Sequence, residues 1–137
     1  MKCCIQIHGP SGSGKSTYML WFIKYNGLLQ FEININGYRL PIYISQDSKI
    51  IVLGDYCSDY NTLGMDRFKG NSTDIINAII FIINCYHPDQ IYFEKMILST
   101  TSMFAYKLSL YLKCLGYKFL AVLFLRNYDV CLRSILH

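Results

Sequence analysis

The stretch that decides the fold is GPSGSGKST, residues 9–17. Its fixed positions are two glycines, Gly9 and Gly14, followed at once by Lys15 and Ser16, which fits the pattern G-x-x-x-x-G-K-[ST]. Glycines allow consecutive backbone N–H groups to turn toward a bound phosphate, and a helix that begins just after them adds its positive dipole end. In this pattern the lysine reaches the β- and γ-phosphates, and the serine hydroxyl binds the accompanying magnesium ion. The run therefore predicts a binding site for ATP with Mg²⁺. The residues expected to contact the nucleotide are Gly9, Pro10, Ser11, Gly12, Ser13, Gly14, Lys15, Ser16 and Thr17.

The residues on either side of this run support the prediction. Cys3 to Gly9 form a short apolar stretch, CCIQIHG, as a buried parallel strand does. Lys15 to Tyr25 contain neither Gly nor Pro and carry apolar residues at helical spacing, and Asn26-Gly27 is a good helix terminator. A strand that delivers the loop and a helix that receives it are the context in which such a loop binds phosphate.

Length and composition indicate one α/β domain, residues 1–137. Of the 137 residues 53% are hydrophobic and 16% are charged, which suits a sheet covered on both faces. The longest apolar stretches, 75–85 and 119–125, are shorter than the roughly 20 residues that a membrane helix needs. Because the first strand also begins too early for a signal peptide, we expect a cytoplasmic protein without membrane contact. The net charge of +4 is mild, and no Lys/Arg cluster indicates a nucleic-acid surface.

The six cysteines and three histidines do not follow a metal-binding pattern. No two cysteines form a C-x-x-C pair, and most of them lie in apolar runs. The favoured interpretation is that the cysteines are small buried hydrophobes in a reducing compartment.

The rest of the chain is predicted to be a β-rich segment followed by alternating helices and strands. Asn36-Gly37 is a strong hairpin turn between two β-segments, and a third segment, Lys49 to Leu53, is apolar enough to join the core sheet. Residues 54–72 are polar and glycine-containing, and a loop of that length is commonly functional. The elements expected after this loop are a helix at 73–86 capped by Ser72 or Thr73, a strand at 91–98, a helix from Thr101 or Ser102 to about Leu115, a strand at 117–125, and a last helix opened by Asn127 or Asp129. Such alternation implies a mostly parallel sheet whose nucleotide lies at the carboxyl ends of the strands.

Glu94 is the first candidate for chemistry beyond the loop. It follows a hydrophobic run at the point where a second parallel strand is expected to emerge beside the loop. A carboxylate there holds magnesium, directly or through water, or accepts a proton from the phosphate acceptor. The alternative is an ordinary strand residue that faces solvent at the end of the sheet.

Two further sets of charged residues, and a few aromatic ones, are candidates for binding an acceptor. Asp55, Asp66 and Arg67 follow the third β-segment, and the arginine suits a bidentate contact with a phosphate or carboxylate. Their alternative is a solvated loop with a local ion pair. Arg126 and Arg133 are candidates for contacting the γ-phosphate, or else ordinary surface arginines. The aromatic residues that are candidates for base stacking rather than core packing are Tyr56, Tyr60 and Phe68.

In these residues the chain resembles the P-loop kinases of the nucleoside and nucleotide kinase superfamily. More narrowly, it resembles the small ATPase/kinase-like proteins of phages and large viruses. The matching residues beyond the loop are Leu53, Gly54 and Tyr56, then Gly64, Asp66 and Arg67, then Glu94. The resemblance implies a three-layer P-loop fold with a mostly parallel central sheet and an antiparallel hairpin or meander inserted after the first helix.

The resemblance also implies residue roles. Ser16 and Glu94 are the expected Mg²⁺ ligands, the latter directly or through water, and the acceptor is a small molecule such as a nucleoside or nucleotide. The residues expected to take part in phosphoryl transfer are Lys15, Glu94, Asp66, Arg67 and Arg133.

The sequence departs from this superfamily in two places. The expected arginine-bearing lid and last strand do not follow the fourth strand, so we expect the chain to bind nucleotide better than it transfers phosphate. Lys95-Met96 follow Glu94 where relatives often have a small residue. Two alternatives to a kinase therefore stay open: an acceptor-independent ATPase or nucleotide-binding switch, and an inactive nucleotide-binding remnant.

Overall fold

The computed structural model describes residues 1–9, 14–56, 65, 68–94 and 101–124. Within these residues the chain is an α/β protein with a mixed six-stranded sheet and three helices. In chain order the elements are β1 (Cys3–His8), α1 (Lys15–Tyr25), β2 (Leu29–Ile35), β3 (Tyr38–Ile44), β4 (Ile50–Leu53), α2 (Ser72–Tyr86), β5 (Gln90–Glu94), α3 (Thr101–Cys114) and β6 (Lys118–Leu123).

The strands lie in the order β2-β3-β4-β5-β1-β6. β2, β3 and β4 pair antiparallel, whereas the pairs β4–β5, β5–β1 and β1–β6 are parallel. The predicted meander is therefore confirmed. Its third strand joins the rest of the sheet through β5, where Leu53 is paired with Phe93.

The hairpin turn between β2 and β3 forms as its sequence predicts. Asn36 and Gly37 have φ angles of 52° and 87°, and two successive left-handed residues are what a two-residue turn needs to match the twist of the strands. The backbone N–H of Gly37 donates to Asn34 Oδ1 at 2.9 Å.

Among the described residues, the core consists of two clusters of buried side chains, one on each side of the sheet. Because neighbouring side chains of a strand point to opposite faces, Cys3 and Cys4 of β1 belong to different clusters. The α1-side cluster contains Met19 and Ile23 of α1 together with Cys3, Ile5, Ile7, Leu28, Tyr43, Val52 and Tyr56. The α2/α3-side cluster contains side chains of α2 and α3 together with Cys4, Ile42, Ile44, Ile51, Leu53, Ile91 and Phe93.

The bounds of α1 match the prediction, and Gly27 follows its end with φ 62°. The predicted cap of α2 is wrong, because Asn71 caps this helix and Ser72 is its first residue. Asn71 Oδ1 accepts from the N–H of Asp74 at 2.9 Å, and Asp74 Oδ2 accepts from the N–H of Asn71 at 2.9 Å. This reciprocal capping box satisfies two backbone N–H groups at once, which a lone serine or threonine cap does not do.

The predicted strand at 91–98 is described as far as Glu94. β5 comprises Gln90–Glu94, and 95–100 lie outside the described residues. The composition suits a sheet covered on both faces, but in the described part of the chain Leu120, Val122 and Leu123 of β6 are 42%, 40% and 47% exposed. The predicted last helix also lies outside the described residues.

The cysteines divide between the core and the surface. Cys3 and Cys4 are buried as predicted, whereas the prediction is wrong for Cys85 and Cys114, which are exposed. Among the described residues, no helix combines the length and the apolar character needed to cross a membrane.

Candidate functional site

The glycine-rich motif of residues 9–17 is framed by the end of β1 and the start of α1. The structure describes Gly9 and Gly14, whereas 10–13 lie outside the described residues. Gly14 is the N-cap residue of α1, with φ 88° and ψ 10°. Glycine adopts this left-handed conformation far more readily than other residues, which accounts for its presence there. Its carbonyl oxygen accepts a helical hydrogen bond from the N–H of Tyr18 at 2.9 Å.

The N-terminus of α1 favours negative charge. Gly14 offers no side chain as a cap, and the first turn of the helix contains no acidic residue. The first N–H groups of a helix lack partners within the helix, and the helix dipole places partial positive charge at this end. The start of α1, which carries Lys15 and Ser16, is therefore suited to an anionic ligand.

Ser16 is hydrogen-bonded to Glu94 of β5. Ser16 Oγ donates to Glu94 Oε1 at 2.5 Å, although the two residues are 78 positions apart in the sequence. The register of the sheet explains the contact, because Ile7 near the end of β1 is paired with Glu94. The chain that leaves β1 and enters α1 therefore passes beside the end of β5.

The alternation of side chains along β5 determines which way Glu94 points. Ile91 and Phe93 belong to the α2/α3-side cluster, while Tyr92 packs against the α1-side cluster. Side chains two residues apart on a strand point to the same face, so Glu94 points to the α1 side of the sheet, as Tyr92 does. It meets Ser16 there and is only 2% exposed, so the solvent-facing alternative for Glu94 is wrong.

The second oxygen of this carboxylate is bound by Tyr56. The Tyr56 hydroxyl donates to Glu94 Oε2 at 2.7 Å, and Tyr56 itself is 6% exposed. A buried carboxylate is costly unless it is hydrogen-bonded. Hydroxyl donors on both oxygens, together with the nearby N-terminus of α1, offset that cost.

The site lies between β1 and β5, two neighbouring strands that are followed by helices on opposite faces of the sheet. β1 continues toward α1, and its neighbour β5 is followed along the chain by α3, while the side chains of α1 and α3 belong to opposite clusters. In open α/β sheets such a point opens a crevice between the carboxyl ends of two parallel strands, where ligands characteristically bind. The Ser16–Glu94 contact lies at this point.

The donor set of the site fits a magnesium ion. Mg²⁺ prefers hard oxygen ligands, and it is usually held by one or two protein side chains together with phosphate oxygens and water. Ser16 supplies a hydroxyl and Glu94 a carboxylate at hydrogen-bonding distance from each other. In the described part of the chain, no three or more His, Cys, Asp or Glu side chains form a group that could hold a metal ion.

The structure brings only some of the predicted site residues together. Ser16 and Glu94 are in contact, Lys15 is partly exposed at the start of α1, and Thr17 is exposed one residue beyond Ser16. Asp55 is partly exposed after β4. The predicted residues that lie outside the described residues are Pro10, Ser11, Gly12, Ser13, Tyr60, Gly64, Asp66, Arg67, Arg126 and Arg133.

Sequence reasoning missed the way in which Tyr56 takes part in the site. The sequence presented it only as part of a motif and as a candidate for base stacking, yet its ring is buried and its hydroxyl binds Glu94. Phe68, another stacking candidate, packs against the α2/α3-side cluster. One signal in the sequence bears on Tyr56, namely its position three residues after the apolar strand β4, because polar groups that follow such strands gather at the same edge of the sheet.

No protein-family model, curated protein or solved structure matches this chain.

Proposed function

We propose that this chain is a P-loop protein that binds ATP with Mg²⁺ and acts as a nucleoside- or nucleotide-kinase-like phosphotransferase. The observation that carries the proposal is the hydrogen bond between Ser16 of the loop motif and the buried carboxylate of Glu94 on the neighbouring strand. A chance glycine-rich turn gives no reason for a buried carboxylate beside its serine. The proposed architecture is a three-layer P-loop fold whose parallel strands carry the site at their carboxyl ends.

Each residue of the site has a separate task in the proposed mechanism. The loop N–H groups and Lys15 bind the β- and γ-phosphates, and the start of α1 contributes its positive dipole end. Ser16 and Glu94 hold the magnesium ion, the latter directly or through water. When bound, this ion neutralises charge that develops on the transferred phosphoryl group.

The acceptor side of the proposal rests on the sequence alone. Asp66 and Arg67 are proposed to bind the acceptor, a nucleoside or its monophosphate, and Arg133 to contact the γ-phosphate. A planar guanidinium binds phosphate bidentately, which suits Arg67 to that task.

The binding step is tested by replacing Lys15 with alanine. We expect Lys15→Ala to abolish measurable ATP binding in calorimetric titrations, because the lysine is the main positive charge that the loop motif places on the phosphates. Lys24→Ala is the matched control, since Lys24 is exposed in the last turn of the same helix. Normal ATP affinity in Lys15→Ala, or equal losses in both variants, would contradict the assignment of the loop.

ADP formation then separates the three functional alternatives. A kinase forms ADP only when a nucleoside or nucleotide acceptor is added, whereas an ATPase or switch forms ADP without one. Binding without ADP under either condition would identify an inactive remnant.

A further inference from the structure

We infer that Tyr56 is a positioning residue for the magnesium site: its hydroxyl fixes one oxygen of Glu94 so that the other faces Ser16 and the metal. The inference rests on the proposed function and names a residue to which the loop motif assigns no part. It is carried by the hydrogen bonds around Glu94, in which each oxygen has a different donor.

The two donors of Glu94 come from different parts of the chain, Ser16 from α1 and Tyr56 from the segment after β4. Only Ser16 is proposed to bind the metal ion as well. Ser16 Oγ donates to Oε1 at 2.5 Å, and Tyr56 donates to Oε2 at 2.7 Å. A serine oxygen that bound a metal ion would do so through a lone pair and could still donate its proton to Oε1, so this bond alone would let the carboxylate turn with the serine. The bond from Tyr56 to Oε2 would hold the second oxygen and so prevent the carboxylate from rotating.

Tyr56 is itself firmly held. Its backbone N–H donates to the Tyr43 hydroxyl at 3.0 Å, and the two rings pack edge to face with centroids 6.0 Å apart. Gly54, with φ 124°, turns the chain after β4, and its N–H donates to the carbonyl oxygen of Pro41 at 2.9 Å. Both tyrosines are almost fully buried, so the hydroxyl that meets Glu94 is anchored to the sheet.

The chemistry of a tyrosine suits this position. A phenol is a neutral donor, so it orients the carboxylate without cancelling the negative charge that a metal ion needs. An arginine or lysine in the same place would form an ion pair with Glu94 and compete with Mg²⁺. A purely structural role for Tyr56, in which it only satisfies a buried carboxylate, predicts an effect on stability but none on the metal.

The test is the ratio of ATP affinities measured by calorimetry with Mg²⁺ and with EDTA. We expect Tyr56→Phe to reduce the affinity for ATP in Mg²⁺ by about tenfold, the size of a lost hydrogen bond to a charged group. Its affinity in EDTA is expected to stay unchanged. Tyr117→Phe is the matched control, because it removes another buried tyrosine hydroxyl, which donates to the carbonyl oxygen of Pro88, and leaves both donors of Glu94 and the anchor of Tyr56 in place; its ratio should equal that of the wild type.

A double-mutant cycle with Glu94→Gln separates positioning from other effects. The glutamine variant should lose the preference for Mg²⁺, and Tyr56→Phe should then change the ratio no further, because both substitutions act through the same carboxylate. An additive effect of Tyr56→Phe, or an unchanged ratio in the single variant, would overturn the inference.

The outcomes distinguish this inference from the proposed function. If the wild type binds no ATP, or binds it equally well in Mg²⁺ and EDTA, the proposed function fails before Tyr56 is tested. Circular dichroism and melting temperatures confirm that each variant folds. If Tyr56→Phe does not fold, fluorotyrosine placed at position 56 keeps the ring and alters the donor strength, and the Mg²⁺/EDTA ratio must then change; a constant ratio would sink the inference.

Discussion

Two glutamates of this chain show how much the environment of a residue determines its role. Glu32 forms an ion pair with Arg39, but their side chains are 44% and 75% exposed, so the pair contributes little to stability. Glu94 is 2% exposed and has a hydroxyl donor on each oxygen. A carboxylate kept in such a position is costly, and a site that needs its negative charge gives a physical reason for it.

Cys4 leads to a prediction about stability at alkaline pH. Burial, and to a lesser degree the neighbouring Cys3, raises the pKa of the Cys4 thiol far above its ordinary value. The unfolded chain releases this proton near pH 8.5, while the folded chain retains it, so stability falls as the pH rises above that value. At its steepest, this single group lowers the free energy of unfolding by about 1.4 kcal/mol per pH unit.

The measurement is the free energy of unfolding in urea at pH 7.5 and pH 10 for the wild type and Cys4→Ala. The alanine variant should be less stable at pH 7.5, because it leaves a small cavity, but it should lose less stability between the two pH values. Cys114→Ala is the control, since Cys114 is exposed and should keep the wild-type slope. Parallel slopes in wild type and Cys4→Ala would contradict the effect of burial on this thiol.

At the scale of elements, the start of α2 ties the helix to the β2–β3 hairpin. Asn71 and Asp74 form the capping box, and the second carboxylate oxygen of Asp74 accepts from Asn36 Nδ2 at 2.8 Å. Asn36 is also the first left-handed residue of the hairpin turn. One buried carboxylate therefore connects a helix end with a turn 38 residues earlier in the chain.

Replacing the cap tests this arrangement. Asn71→Ala is expected to lower the free energy of unfolding by about 1 kcal/mol, because the N–H of Asp74 loses its acceptor. Asn77→Ala on the exposed face of the same helix is the control, and it should leave stability unchanged or raise it by about 0.5 kcal/mol, since alanine is the better helix former. Equal effects of the two substitutions in urea unfolding would show that Asn71 is not the cap.

At the scale of the whole molecule, the features that the sequence predicted are those with strong local signals. The bounds of α1 follow from glycine at one end and Asn26-Gly27 at the other, and the β2–β3 turn follows from Asn36-Gly37. In each case the deciding residues lie within the element or next to it.

The features that the sequence did not predict depend on distant residues. The sequence predicts that Ser16 and Glu94 lie together, but not that the hydroxyl of Tyr56, 38 positions before Glu94, donates to the second oxygen of that carboxylate. The register of the sheet brings these residues together. The exposure of β6 likewise depends on what packs against it, because its apolar pattern is that of a buried strand. Composition and periodicity carry no information about either.

The most direct test of the central claim is a crystal structure of the chain with an ATP analogue and Mg²⁺. The proposed function predicts that the triphosphate lies at the start of α1 and that Ser16 Oγ binds the metal. It also predicts that the Glu94 carboxylate, still bonded to the Tyr56 hydroxyl, faces that metal directly or through one water. A nucleotide bound elsewhere on the chain, or a metal ion that is remote from Glu94, would contradict the account.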